Sequence, residues 1–141
     1  GSLKYLSKYK NKDFFVSNCD IILKKDYIKI YQYHKKNKSD ITLVVSKKKF
    51  VLPYGNCEIS KKNEFLRIEE KPSYKFLINT GFYIINSKIL NIIPKNKSYN
   101  FDEFISDAKK LNKRIFVYTI SEKDWIDVGQ WPLYKKAINS I

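Results

Sequence analysis

Short apolar runs that alternate with helix-patterned stretches are the tightest constraint on what this chain can fold into. The first is in DFFVSNCD, Asp13 to Asp20, where Phe14, Phe15 and Val16 favour a buried strand and small polar residues come next, ending in Asp20. Before it, Leu3, Tyr5, Leu6 and Tyr9 give a short helical pattern. From Asp26, a candidate N-cap, Tyr27, Ile28, Ile30, Tyr31 and His34 recur at helical spacing, and Lys35 to Lys38 close the helix with charge its C-terminal end favours. Asp40 to Ser46 reads as a strand, and Pro53 and Gly55 around Tyr54 break two short extended pieces. Phe65 to Ile68, Phe76 to Ile78 and Phe82 to Ile85 are further strand-like runs, with Gly81 marking a bulge or a close backbone approach. Ser87 to Ile93 reads as a short helix stopped by Pro94. Phe101, Phe104, Ile105, Ala108 and Leu111 form the clearest amphipathic helix. Ile115 to Ile120 is a strand, Trp125 to Gly129 comes next, and Trp131 to Ile138 is expected to be the last helix. This order predicts one α/β sandwich around a mixed sheet.

The 141 residues suffice for one domain, and a hydrophobic share of 43% supports a true core. No apolar run approaches the roughly 20 residues a membrane span requires, and no cationic start precedes an apolar secretory segment. Cys19 and Cys57 lack metal-ligand spacing, which points to reduced thiols in a cytoplasm. The net charge of +14 invites a nucleic-acid partner. Against it, only Arg67 and Arg114 are arginines, and the lysines are spread along the whole chain, Lys47 to Lys49 being the longest run. No nucleic-acid or membrane partner is therefore expected.

Three features bear on chemistry. Asp20 and Asp127 each stand at an apparent strand end, where open α/β sheets place ligands. Two carboxylates converging from distant parts of a chain suit Mg²⁺, which takes one or two protein carboxylates plus substrate phosphates. Glu70 and Lys71 are adjacent opposite charges before Pro72, and Gly55 and Gly81 are two of only four glycines. Turns, a surface ion pair and a bulge would explain each of these separately. His34, the only histidine, reads as a helix-face or surface residue rather than a catalyst.

Read in order, NCD (18–20), PYG (53–55), EEKP (69–72), NTGFYI (79–84) and WIDVG (125–129) resemble the sugar-1-phosphate nucleotidyltransferases, with guanylyl-, uridylyl- and thymidylyltransferases the nearest in kind. The resemblance implies a Rossmann-like α/β/α sandwich with a mixed, mostly parallel sheet. It also exposes a departure: the family's G-x-G-T-R-L-type loop, which embraces the triphosphate, is absent, and Gly1, Ser2 and Leu3 resemble an internal GSL run. Residues 1–141 thus read as a partial catalytic domain, its sugar- and metal-binding part, lacking the N-terminal nucleotide-binding segment.

Carried over by position, the resemblance makes Asp20 and Asp127 the Mg²⁺ ligands, with Lys71 beside them as the cation that neutralises the sugar phosphate. Glu70 would accept hydrogen bonds from sugar hydroxyls, Asn79 would bond the sugar, Thr80 would line the same pocket, and Gly55 would let the backbone approach it. Two aspartates more than a hundred positions apart are expected to meet at one cavity, with the Glu70–Lys71 couple facing them across it. The implied substrates are a sugar 1-phosphate and a nucleoside triphosphate, in sugar nucleotide supply for polysaccharide biosynthesis. The chain alone is expected to have little activity, and the exposed edge of the Asp13–Ser17 strand to favour a homo-oligomer. Two alternatives stand beside this: a glycosyltransferase of similar architecture, for which NCD offers only one of two expected carboxylates, and a basic non-enzymatic binding module.

Overall fold

The computed structural model describes residues 2–94 and 98–129; the helix expected over Trp131 to Ile138 lies outside them. A 3₁₀ helix, Ser2–Lys8, leads into β1 (Asp13–Ser17), β2 (Ile21–Leu23) and α1 (Tyr27–Lys36). Then come β3 (Ile41–Val51), β4 (Asn56–Ile59), β5 (Phe65–Glu69) and β6 (Ser73–Asn86). A second 3₁₀ helix, Ser87–Ile92, precedes α2 (Phe101–Lys110), β7 (Ile115–Ser121), a 3₁₀ turn at Glu122–Asp124, and β8 (Trp125–Asp127). No helix among the described residues is long and apolar enough to cross a membrane.

The main sheet runs β1-β6-β3-β7. It is mixed, as expected, but less parallel than expected: among the described residues only β3 and β7 run parallel, whereas β1 with β6 and β3 with β6 are antiparallel. β2 pairs with β8, and β4 with β5, in two small antiparallel ladders. Side chains alternate across the sheet, so its two faces bury different sets. Ile41, Tyr83 and Ile85 meet Ile89, Leu90, Phe104 and Ala108 on one face. Val44, Phe82 and Ile84 meet Ile30, Leu23 and Ile120 on the other. Helices thus cover both faces, the α/β/α layering the family resemblance implies. Each fully buried Ile, Leu or Phe contributes about 1.5–3 kcal/mol.

Helix α1 begins where expected: the Asp26 carboxylate accepts from the Ile28 amide at 2.9 Å, satisfying an otherwise orphaned donor. At α2 the Asn100 amide donates to Glu103 Oε2 at 2.7 Å. His34 is on a helix face, but it is buried rather than at the surface. Its Nδ1 lies 2.8 Å from Thr42 Oγ1 and its Nε2 3.4 Å from Asp13 Oδ1. Burial pushes the imidazole pKa down, with Asp13 opposing only in part. Burial also disfavours the Asp13 carboxylate, yet hydrogen bonds from Asn86 and Lys35 outweigh it and hold its pKa below the usual value.

Two strands exceed their sequence signal. β3 runs on to Val51 rather than ending at Ser46, and Phe76–Ile78 and Phe82–Ile85 are one strand, β6, rather than two. The ladder between these strands holds the exposed segment in place through the backbone. Where two runs are expected to separate, the register jumps: Val44 faces Phe82, but Val45 faces Asn79. Thr80 and Gly81 are the extra residues of this bulge. The Thr80 hydroxyl stitches it by donating to the Val44 carbonyl at 2.8 Å and accepting from the Phe82 amide at 3.3 Å.

Candidate active site

Asp20 is placed by the turn that links β1 to β2. The chain leaves the sheet at Ser17, opposite Phe82, and the Asn18 amide donates to the Gly81 carbonyl at 2.9 Å. Gly81 has φ +79°, and a Cβ there would stand 2.6 Å from Asn18 Nδ2. Glycine is therefore required on two counts, conformation and close approach, and the position is both a bulge and a close contact. The chain then enters β2, whose Ile21, Ile22 and Leu23 pair with Asp127, Ile126 and Trp125. The Val128 amide donates to the Asp20 carbonyl at 2.8 Å and extends the ladder by one step. This short ladder brings NCD and WIDVG together.

The two carboxylates meet beside Gly129. A Cβ at that position would lie 2.8 Å from Asp20 Oδ2 and 3.2 Å from Asp127 Oδ1. The Gly129 amide itself donates to Asp127 Oδ1 at 3.0 Å. Both acids line one hollow of about 420 Å³, together with Asn18, Asn79, Thr80 and Gly81; Ile21, Lys48, Ile78, Tyr83 and Trp125 complete its wall. Asn79 is braced there: its Nδ2 donates to Tyr83 Oη at 2.7 Å and its Oδ1 accepts from the Gly81 amide at 3.2 Å. Burial raises the Tyr83 pKa, so the phenol stays protonated at neutral pH. The buried indole Nε1 of Trp125 has no hydrogen-bond partner among the described residues.

Gly55, Glu70 and Lys71 do not line this hollow. They sit where the β4–β5 hairpin joins the β3–β6 ribbon, a junction closed by the Leu52 amide donating to the Pro72 carbonyl at 3.0 Å. Gly55 and Glu70 are close neighbours: a Cβ on Gly55 would stand 3.1 Å from Glu70 Oε2 and 3.0 Å from Ile68 Cδ1. Lys71 has a left-handed backbone, φ +46°, immediately before Pro72. Such a conformation costs a non-glycine residue about 1–3 kcal/mol and gathers at functional sites. The structure therefore brings Asp20, Asp127, Asn79 and Thr80 to one hollow and groups Gly55, Glu70 and Lys71 at a separate place.

Among the polar residues of the hollow, Asn18, Tyr83 and Lys48 escape the sequence reading. Asn18 lies inside the NCD motif, and its closeness to Gly81 is visible only once the strands pair. Tyr83 reads as one more strand aromatic. Lys48 is hidden in a basic run that looks compositional. A signal for it exists: with β3 extended to Val51, strand alternation separates Lys48 from Lys47 and Lys49.

A family model for nucleotidyl transferase matches residues 2–141. The mannose-1-phosphate guanyltransferase of Aspergillus oryzae is 34% identical over 140 residues, 92% of this chain and 37% of that protein. The UTP–glucose-1-phosphate uridylyltransferase of Synechocystis is 25% identical over 152 residues, all of this chain and 39% of that protein. Among solved structures, HddC from Yersinia pseudotuberculosis, known also in complex with GMP-PN, superposes with a TM-score of 0.67. It is 25% identical, and the match covers 99% of this chain and 60% of HddC. The chain thus spans well under half the length of the curated relatives it matches. On the match over nearly all its residues, the chain belongs to the nucleotidyl transferase family.

Proposed function

We propose that this chain carries the sugar- and metal-binding part of an enzyme that transfers a nucleotidyl group from a nucleoside triphosphate to a sugar 1-phosphate. The observation that carries the reading is the meeting of Asp20 and Asp127 beside Gly129, in a hollow shared with Asn79 and Thr80. The family assignment favours it over a glycosyltransferase or a basic binding module.

In the proposed reaction, a phosphate oxygen of the sugar 1-phosphate forms a bond to the α-phosphorus. The bond from that phosphorus to the bridging oxygen breaks, and pyrophosphate leaves. Such transfers demand alignment and charge compensation more than covalent help. Asn79 bonds the sugar at the hollow, and Thr80 lines its wall. Glu70 accepts hydrogen bonds from sugar hydroxyls at the hairpin junction, where Gly55 lets the backbone approach the sugar, and Lys71 offsets phosphate charge from there.

Mg²⁺ fits the donor set. The described residues hold no cluster of three or more acidic, histidine or cysteine ligands, and two carboxylates in an open hollow suit an ion that completes its shell with water and phosphate oxygens. Asp20 and Asp127 would hold it, and when bound it would supply neutralisation of phosphate charge.

Three finer points belong to this reading. A cytoplasmic enzyme serving polysaccharide biosynthesis is consistent with Cys19 and Cys57 as exposed free thiols. The triphosphate loop is not within these 141 residues, so the chain assayed alone should make little nucleotide sugar. β1 pairs on one side only among the described residues, so its other edge favours association with a second chain.

The test is a thermal-shift and activity screen of the full-length gene product against nucleoside triphosphates and sugar 1-phosphates with Mg²⁺. Asp20→Asn and Asp127→Asn should each lower kcat on the order of 10²–10³-fold, the usual loss when transition-state charge stabilisation is removed. Full turnover by both variants would refute the assignment.

A further inference from the structure

Building on the function proposed above, we infer that Lys48 is a phosphate-binding residue of this hollow, a second cation that acts from the sheet itself. Lys47, Lys48 and Lys49 are consecutive on β3, opposite Leu77, Phe76 and Lys75. Strand side chains alternate, so the middle lysine faces away from its two neighbours. Lys48 lines the hollow that holds Asp20 and Asp127, and Lys47 and Lys49 do not, although all three line a second hollow with Lys75, Phe76 and Leu77.

Its surroundings give that placement a chemical meaning. Among the described residues Lys48 is the only cation of the lining, against two carboxylates. One ammonium beside the acids, with its three donors, gives a phosphate monoester a place to bind.

Lys48 is also held only loosely. Its Nζ stands 3.6 Å from Glu122 Oε1, an ion pair outside hydrogen-bond range, and both side chains are about half exposed, at 48% and 55%. Exposed pairs of this kind hold weakly and yield readily to a better anion. Glu122 opens the 3₁₀ turn that runs directly into β8 and Asp127. The contact therefore keeps the ammonium close to the element carrying the second acid and leaves its donors for a ligand.

The test measures binding of a sugar 1-phosphate and of a nucleoside triphosphate, separately, to the full-length protein with Mg²⁺. Lys48→Met should weaken at least one of them on the order of 10- to 100-fold, the loss typical of a hydrogen bond to a charged group. KM should rise more than kcat falls, and affinity should depend less on salt. Lys48→Arg should regain most of the loss. A lysine that only pairs with Glu122 would alter melting and leave both affinities alone. Affinities of Lys48→Met within about twofold of wild type for both ligands would overturn the proposal. If Lys48→Met loses its cooperative melt, Lys48→Gln is judged by the same criterion. A wild-type protein that binds neither ligand would instead refute the functional reading, and no variant is needed to see it.

Discussion

The two ends of β3 live in different surroundings. From Ile41 to Ser46 the strand is almost wholly buried, with Ile41, Thr42, Val44 and Ser46 all at or near zero exposure; from Lys47 to Val51 every residue is exposed. β6 repeats the contrast in reverse, exposed from Ser73 to Leu77 and buried from Thr80 to Ile85. One end is held by packing on both faces of the sheet. The other is held by the ladder alone and leads to a hairpin, β4–β5, whose strands are mostly exposed. The hollow with the two acids lies at the changeover. A packed half fixes Thr80 and the path of Gly81, and an open half supplies Asn79 and Lys48, whose side chains remain accessible to a ligand.

The sharpest way to break this contrast is to truncate one isoleucine in each region. Ile84→Ala, at zero exposure between the helix layers, should cost about 2–5 kcal/mol of unfolding free energy. Ile68→Ala in the hairpin, 58% exposed, should cost no more than about 0.5 kcal/mol. Equal losses on chemical denaturation would mean that the hairpin is packed in solution and the contrast is false.

A smaller effect separates the regions by pH. The folded state lowers the His34 pKa below its usual 6.5, so the unfolded chain binds more protons as the pH falls through that value. Stability should decline from neutral pH downward, first through His34. The contribution of Asp13, whose folded pKa is depressed, is lost only as the pH falls through that lower value. His34→Gln should flatten the upper part of the curve, and an unchanged slope between pH 7 and about 5.5 would remove His34 as its source.

The smallest effect belongs to the hairpin's own charges. Arg67 makes a two-pronged contact with Glu58, at 2.8 Å from Nε and 2.6 Å from Nη2, in full exposure to solvent. Arg67→Ala should leave the denaturation midpoint unchanged within error, because water screens such pairs. A clear drop in midpoint would tie the hairpin to the core.

Much of this is legible in the sequence, for local reasons. The apolar run before Asp20 and the Asp26 cap are short-range signals, and β1 and α1 match them closely. Asp20 and Asp127 are legible as a pair because each motif carries its own acid. The ladder that joins them is not, because Ile21–Leu23 has no period of its own and becomes a strand only through its partner β8. The same holds for His34: nothing nearby in sequence announces that Asp13 and Thr42 will enclose it. Lys48 is obscured because lysine spread through the whole chain hides one that lines the hollow.

The two surplus residues at Thr80–Gly81 bear on how this molecule could lose its chemistry. Shortening β6 by one of them would invert the sidedness of everything upstream, sending Leu77 and Lys75 to the opposite surface. Excising both would restore an unbroken register between Val44–Phe82 and Val45–Asn79 and spare the interior. It would also delete two walls of the ligand chamber. A descendant could in that way keep its architecture and fall silent.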